Sequence, residues 1–284
     1  MSKLAVLGTG LLGSGMVENL LAKGHAVRVW NRSREKLAPL VANGAVAGAD
    51  PADTVAGCER VHLVLAEDDA VDAVLGALRS GLRPGVPLLD HSTNLPARVA
   101  HRAAERRASG LAYLHAPVFM SPQNAREAGG LMLISGPTSE VEPLLAPLGE
   151  MSGKVWHCGE RPELAAFHKL AGNAVLMTLA GVVGDLFAMG RASGLDPAGV
   201  LALFEVFKPG AALPFIGQRV AKAGQGPASF ELKMARKDLR LMTQTAAPDA
   251  VLTVLPALAA AMDRALAAGL GAKDFAVFAN PAPR

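Results

Sequence analysis

Residues 4–16 read L-A-V-L-G-T-G-L-L-G-S-G-M, and this opening constrains the fold more than any other stretch. A short apolar run without polar alternation is the pattern of a strand buried on both faces, and such strands belong to parallel sheets covered by helices. The run feeds directly into glycines at 8, 10 and 13, with an apolar helical pattern after them. In that context each glycine of G-x-G-x-x-G has a mechanical role. Gly8 allows the tight turn, Gly10 lets the backbone approach a pyrophosphate, and Gly13 permits close helix–sheet packing. The helix N-terminus then stabilises the anion. Thr9, Leu11 and Leu12 complete the candidate loop.

The same alternation continues. The pattern predicts strands at 4–7, 26–30, 61–65, 86–90, 112–114 and 131–135. Helices are predicted at 11–23, 35–42, 69–78, 96–109 and 143–149. From about residue 163 the period changes, and only helical segments are expected, at 164–193, 197–207, 215–223, 230–246 and 253–268. The fold class is α/β: an N-terminal Rossmann domain with a doubly wound, mostly parallel sheet, then an all-helical C-terminal domain. The predicted domains are 1–160 and 161–284; the 284 residues suit two domains of about 150 residues. Aromatics are only 4%, so alanine and leucine must carry the packing, which favours closely packed helices. Helix 164–193 is apolar around much of its circumference and is expected to be buried between domains or subunits of a homodimer or homotetramer.

The net charge is +3 with basic residues scattered, so no nucleic-acid surface is expected. No uninterrupted apolar run reaches about 18 residues, so no membrane span is expected. Cys58 and Cys158 form no CxxC and no metal-ligand spacing. Free thiols and the lack of a secretory signal pattern give a cytoplasmic expectation.

The residues after the second strand choose the dinucleotide. An acidic residue there favours NAD by accepting from the ribose hydroxyls. This chain has Asn31-Arg32-Ser33-Arg34 instead, with no carboxylate to repel a 2′-phosphate and Arg32 able to clamp one. NADP (NADPH) is therefore the expected cofactor, with NAD possible as the second choice.

Downstream, Lys169 and Asn173 stand four apart in A-A-F-H-K-L-A-G-N, so a helix places them on one face. A lysine ammonium can stabilise a developing alkoxide and give it a proton, and Asn173 can hold the same oxygen. His168 points about 100° away from its neighbour Lys169 and is expected to be structural.

These stretches resemble the β-hydroxyacid dehydrogenase family, which carries a Rossmann domain of the 6-phosphogluconate dehydrogenase type and includes 3-hydroxyisobutyrate dehydrogenase, tartronate semialdehyde reductase and glyoxylate/succinic semialdehyde reductases. Four motifs carry the resemblance: residues 4–25, D-H-S-T-N-L-P at 90–96, H-K-L-A-G-N at 168–173, and F-E-L-K-M-A-R-K-D-L-R-L-M at 230–242. The resemblance implies Lys169 as the catalytic lysine and Asn173 as a catalytic and substrate-binding residue. It implies Thr93 and Lys237 on the cofactor, Leu65-Ala66 beside it after the third strand, and Ser92 near the substrate. Ser92 and Thr93 could instead cap the helix that starts at Pro96. The chain departs from the family where its substrate-carboxylate loop usually reads A-P-V-S-G-G: here Phe119, Met120 and Ser121 follow Ala116-Pro117-Val118. These three are candidate substrate residues of a more apolar pocket, or Phe119 and Met120 pack against the sheet. The expected partner is a small carbonyl or hydroxy-acid substrate. Two other readings compete. One is an imine reductase of the same architecture, against which Lys169 speaks. The other is a non-catalytic NADP-binding interaction protein.

Overall fold

Strand β1 (Lys3–Leu7) is the centre of the main sheet, with Leu4, Ala5, Val6 and Leu7 fully buried. The computed structural model describes residues 1–279. Helix α1 (Leu11–Ala22) leads to β2 (Ala26–Trp30); a 3-10 turn, Arg34–Leu37, runs into α2 (Ala38–Ala42). Then come β3 (Val46–Ala47), α3 (Pro51–Val55), β4 (Arg60–Leu63), α4 (Asp68–Leu78), β5 (Pro87–Asp90), α5 (Pro96–Ala108) and β6 (Ala112–His115). These six strands form one sheet in the order β3-β2-β1-β4-β5-β6, parallel throughout. That is the doubly wound order, with a topological switch beside β1, where ligands bind in such sheets. Apolar clusters cover both faces: Leu4, Val6, Met16 and Leu20 belong to one, and Ala5, Leu7, Leu63 and Leu75 to the other.

The predicted strand at 131–135 does not extend this sheet. Strands β7 (Val118–Phe119), β8 (Leu131–Ile134) and β9 (Lys154–His157) form a separate three-stranded sheet, with β7 antiparallel and β9 parallel to β8. Helix α6 (Pro122–Glu127) joins β7 to β8, and α7 (Thr138–Gly149) joins β8 to β9.

Contacts divide the chain into two compact units, Met1–Asn173 and the residues from Ala174 onward. The division falls inside α8 (Leu164–Ala192), whose first turn is held to the sheet unit by the buried Ala165 and Ala166. The second unit is helical, with α9 (Pro197–Leu201), α10 (Leu203–Val206), α11 (Leu213–Ala221), α12 (Leu232–Thr245) and α13 (Leu255–Ala267). Its core joins Leu232, Leu239, Leu255 and Met262. Among the described residues α8 is the one unbent helix long and apolar enough to cross a membrane by length and composition, at a mean hydropathy of 1.6. No unbroken apolar run of about 18 residues occurs in it because Lys169, Asn173 and Asp185 interrupt the sequence.

A buried carboxylate ties α8 to α13. Asp185 of α8 is 1% exposed and accepts the backbone N–H groups of Thr253, Val254 and Leu255 at 2.5, 2.8 and 2.9 Å, capping the start of α13. Burial opposes its charge, but the three donors outweigh it and hold the carboxyl below the ordinary carboxylate range. Asp185→Ala orphans these amides and is expected to cost about 3 kcal/mol of stability, by analogy with charge-assisted hydrogen bonds. Urea unfolding followed by circular dichroism checks this; an unchanged midpoint refutes it.

Candidate active site

The three glycines of the loop differ in what surrounds them. Gly8 has φ +97°, and a Cβ there would lie 2.2 Å from the Val64 carbonyl oxygen. A Cβ on Gly13 would lie 2.0 Å from the Gly8 carbonyl oxygen. At Gly10, the N-cap of α1, a Cβ would meet nothing within 4 Å. Two glycines are therefore required by packing, while the third keeps open the space in front of a helix N-terminus, as a pyrophosphate requires. That cradle fits a dinucleotide.

The loop borders a cleft with a volume of about 580 Å³. Gly8, Gly10, Leu11, Leu12, Gly13, Asn31, Arg32, Ser33, Leu65, Ala66, Ser92 and Thr93 all line it. Thr9 does not: it is buried, and its N–H donates to Asn31 Oδ1 at 3.1 Å. Asn31 also donates to the Ser33 carbonyl at 2.9 Å, so it ties the glycine loop to the loop after β2. Lys36, from the 3-10 turn, lines the same cleft as Arg32. The sequence reading missed it, although a second cation four residues beyond Arg32 was visible. Arg32 and Lys36 are both exposed, and together they supply the positive rim that a 2′-phosphate needs.

The loop after β5 is built on Asp90, which is fully buried. It accepts from the Ser92 amide at 3.0 Å, Asn94 Nδ2 at 2.7 Å and Tyr113 Oη at 2.8 Å. This turns the chain so that Thr93 is exposed at the cleft and Ser92 is buried. Ser92 Oγ accepts the Leu65 amide at 3.0 Å, joining the loops after β4 and β5. Neither hydroxyl caps α5, whose N-cap is Leu95 without a side-chain cap.

Behind this loop lies a buried polar chain. Arg60 Nε donates to His62 Nε2 at 2.9 Å, His62 Nδ1 pairs with His91 Nε2 at 2.9 Å, and His91 Nδ1 meets the Ala116 carbonyl at 2.6 Å. A carbonyl only accepts, so His91 Nδ1 carries a proton, its Nε2 accepts, and both rings are neutral with fixed tautomers. Burial pushes His91 down to about 4 and His62 well below the usual histidine value. The native state thus resists protonation that the unfolded chain accepts below about pH 6.5. Stability conferred by the pair is complete above that pH and is lost as pH falls toward 4. His91 alone contributes a drop of about 2 kcal/mol between pH 7 and pH 5. Denaturant midpoints at the two pH values test this; equal midpoints refute it.

Lys169 and Asn173 do share a face. Lys169 Nζ donates to Asn173 Oδ1 at 3.1 Å, and the lysine is half-buried. Burial holds its ammonium below the ordinary lysine value. Its Nζ also stands 4.1 Å from the centre of the Phe119 ring. Met120 packs against the cluster that includes Met16 and Val118. The two bulky residues therefore divide: Met120 packs, and Phe119 faces the lysine. Ser121 is not free to offer its hydroxyl, because it caps α6, donating to Asn124 Oδ1 at 2.9 Å and accepting the Asn124 amide at 3.1 Å. His168 lies against Trp156, with ring centres 4.9 Å apart. In the helical unit, Lys237 of α12 pairs with Asp238 at 2.7 Å. No group of three or more metal-ligating side chains occurs among the described residues.

A family model for the NAD-binding domain of 6-phosphogluconate dehydrogenase matches residues 3–159. Glyoxylate/succinic semialdehyde reductase 2 of Arabidopsis thaliana is 30% identical over 246 residues, covering 84% of this chain and 67% of that protein. The chain belongs to the hydroxyacid dehydrogenase family. The cytokine-like nuclear factor N-PAC of Xenopus tropicalis is 33% identical over 251 residues, covering 84% of this chain and 45% of that protein. The chain thus spans about half the length of the N-PAC relatives it matches. Among solved structures, the Streptomyces aurantiacus imine reductase superposes with a TM-score of 0.87 over 98% of both chains at 26% identity. The glycine cradle lies within the residues that the NAD-binding domain model matches.

Proposed function

We propose that this chain is an NADP-dependent oxidoreductase acting on a small semialdehyde or 2-oxo acid, or on the matching 3-hydroxy acid, with Lys169 as general acid and base. The observation that carries the reading is the Lys169–Asn173 pair: a half-buried ammonium hydrogen-bonded to a neutral amide, with its proton affinity lowered by burial. The bound nicotinamide supplies the hydride in reduction and receives it in oxidation. Lys169 gives its Nζ proton to the oxygen of the carbonyl as that oxygen gains charge, and solvent restores the proton. Asn173 orients Lys169 and can donate to the same oxygen through Nδ2. Lys237 is proposed as a cofactor contact from the helical unit.

The cofactor preference rests on Arg32 and Lys36. Arg32→Ala is expected to weaken NADPH binding between tenfold and about a hundredfold, equivalent to roughly 1.5–3 kcal/mol, with NADH affected little. Fluorescence titration with both cofactors checks it; equal losses for the two refute a 2′-phosphate role.

The whole reading is tested by NADPH and NADH oxidation with glyoxylate, succinic semialdehyde, tartronate semialdehyde, methylmalonate semialdehyde and a cyclic imine. Turnover of a carboxylated aldehyde with NADPH supports it. Turnover of the imine alone favours the second reading, an imine reductase, for which the Phe119 ring beside Lys169 is the specific observation. Cofactor binding with no turnover of any substrate favours a non-catalytic interaction protein.

We also propose that α8 pairs with α8 of a second copy, in a homodimer or homotetramer. Leu176, Met177 and Leu179 on this helix are 57%, 71% and 49% exposed, an apolar face that water disfavours. A monomeric mass by light scattering counts against it. Cys58 and Cys158 are both free, which suits the proposed cytoplasmic location.

A further inference from the structure

Glycine inside a helix costs stability, so its presence needs a reason. Gly172 lies well within α8. A Cβ on it would stand 2.4 Å from Phe119 Cζ and 2.9 Å from Cε1. Gly172 is thus the clearance that lets the Phe119 ring approach the helix between Lys169 and Asn173. From there the ring presents its π face to Lys169 Nζ at 4.1 Å, while Asn173 Oδ1 takes one ammonium proton at 3.1 Å. Two of the directions around the nitrogen are thereby fixed, and the rest point elsewhere. An aromatic face attracts a cation, and a desolvated cation more strongly.

We infer that Phe119 is the positioning residue for Lys169: its ring, admitted by Gly172, seats the ammonium and sets how readily the lysine releases its proton. The ring acts in two opposing ways. Its bulk removes water from Nζ, which favours the neutral amine. Its π face attracts the positive charge, which favours the ammonium. Asn173, the other group bonded to Nζ, is neutral, so the balance falls to the ring. This rests on the reading of Lys169 as proton donor, but its test does not need turnover.

The pH dependence of Lys169 acylation by acetic anhydride, followed by mass spectrometry of the peptide, reports the lysine's protonation in the intact protein. Phe119→Ser lets water in, and the midpoint is expected to move up. Phe119→Leu keeps the bulk and loses the π face, and the midpoint is expected to move down. Phe119→Tyr keeps both and restores the wild-type midpoint. Gly172→Ala leaves Phe119 in the chain and favours the helix, yet pushes the ring aside; it is expected to lower kcat about tenfold, as misplacement of an acid group does, at unchanged or higher melting temperature. Midpoints in the Ser and Leu variants equal to wild type overturn the inference, as does a Gly172→Ala protein with wild-type kcat. If the midpoints shift as expected and no substrate turns over, the seat stands and the proposed reaction fails. If turnover is found with unshifted midpoints, the reverse holds.

Discussion

Lys169→Ala is expected to lower kcat for carbonyl reduction by about a thousandfold, within the range for loss of a positioned general acid, with NADPH affinity changed less than twofold. The split follows from geometry. Lys169 does not line the cleft formed by the glycine loop, and among the described residues its hydrogen-bonded partner is Asn173. The substitution therefore removes the proton source and leaves the glycine cradle intact. Lys169→Arg should fare little better, because a guanidinium keeps its proton. The pH profile adds an independent check. Reduction needs the ammonium, so its rate falls as pH rises through the Lys169 pKa, and oxidation rises on the same limb. Burial places that limb below the ordinary lysine value of about 10.4. A kcat within threefold of wild type in Lys169→Ala, or a limb at the ordinary lysine value, removes Lys169 from the chemistry.

The glycine loop gives the second large effect, and it separates binding from stability. Gly13→Ala puts a methyl 2.0 Å from the Gly8 carbonyl oxygen, a backbone atom that cannot swing aside, and 3.4 Å from Val64 Cβ. Overpacking of this kind costs about 1–3 kcal/mol, so the melting temperature falls and NADPH binding is lost with the loop geometry. Gly10→Ala meets nothing within 4 Å, so the fold is expected to keep its stability. The methyl instead occupies the approach in front of α1, and binding should weaken at least tenfold. Differential scanning fluorimetry beside a cofactor titration reads both. Equal effects in the two variants contradict the assignment of Gly10 to the ligand and Gly13 to packing.

The sheet was legible where strands are buried on both faces. β1 and β5 announce themselves as short apolar runs, whereas β4 shows only through Val61 and Leu63, because Arg60 and His62 are buried as a hydrogen-bonded polar pair. β3 and β7 have two residues each and exist only through their partners, so no periodicity marks them. β9 alternates exposed and half-buried residues and reads as a polar edge. Helices α3 and α6 did carry a signal, since Asp50-Pro51 and Ser121-Pro122 are N-cap pairs, and both side chains do cap. In the site, helical spacing was enough to place Lys169 beside Asn173. Tertiary approach was not legible: nothing in the sequence places Phe119 under Lys169 or assigns Ser92 to the Leu65 amide. Those contacts join segments whose proximity the sheet order alone creates. Gly172 offered a further hint, a helical glycine with no turn to explain it.

The most direct test of the account is isotope transfer. The protein is incubated with NADPH deuterated at both hydrogens of the nicotinamide C4 and a carboxylated aldehyde, and the alcohol product is examined by mass spectrometry and NMR. The account predicts one deuterium on the carbinol carbon, formed from NADPH in preference to NADH and absent with Lys169→Ala. Alcohol without deuterium, or no alcohol from any carbonyl while cofactor binds, would contradict it.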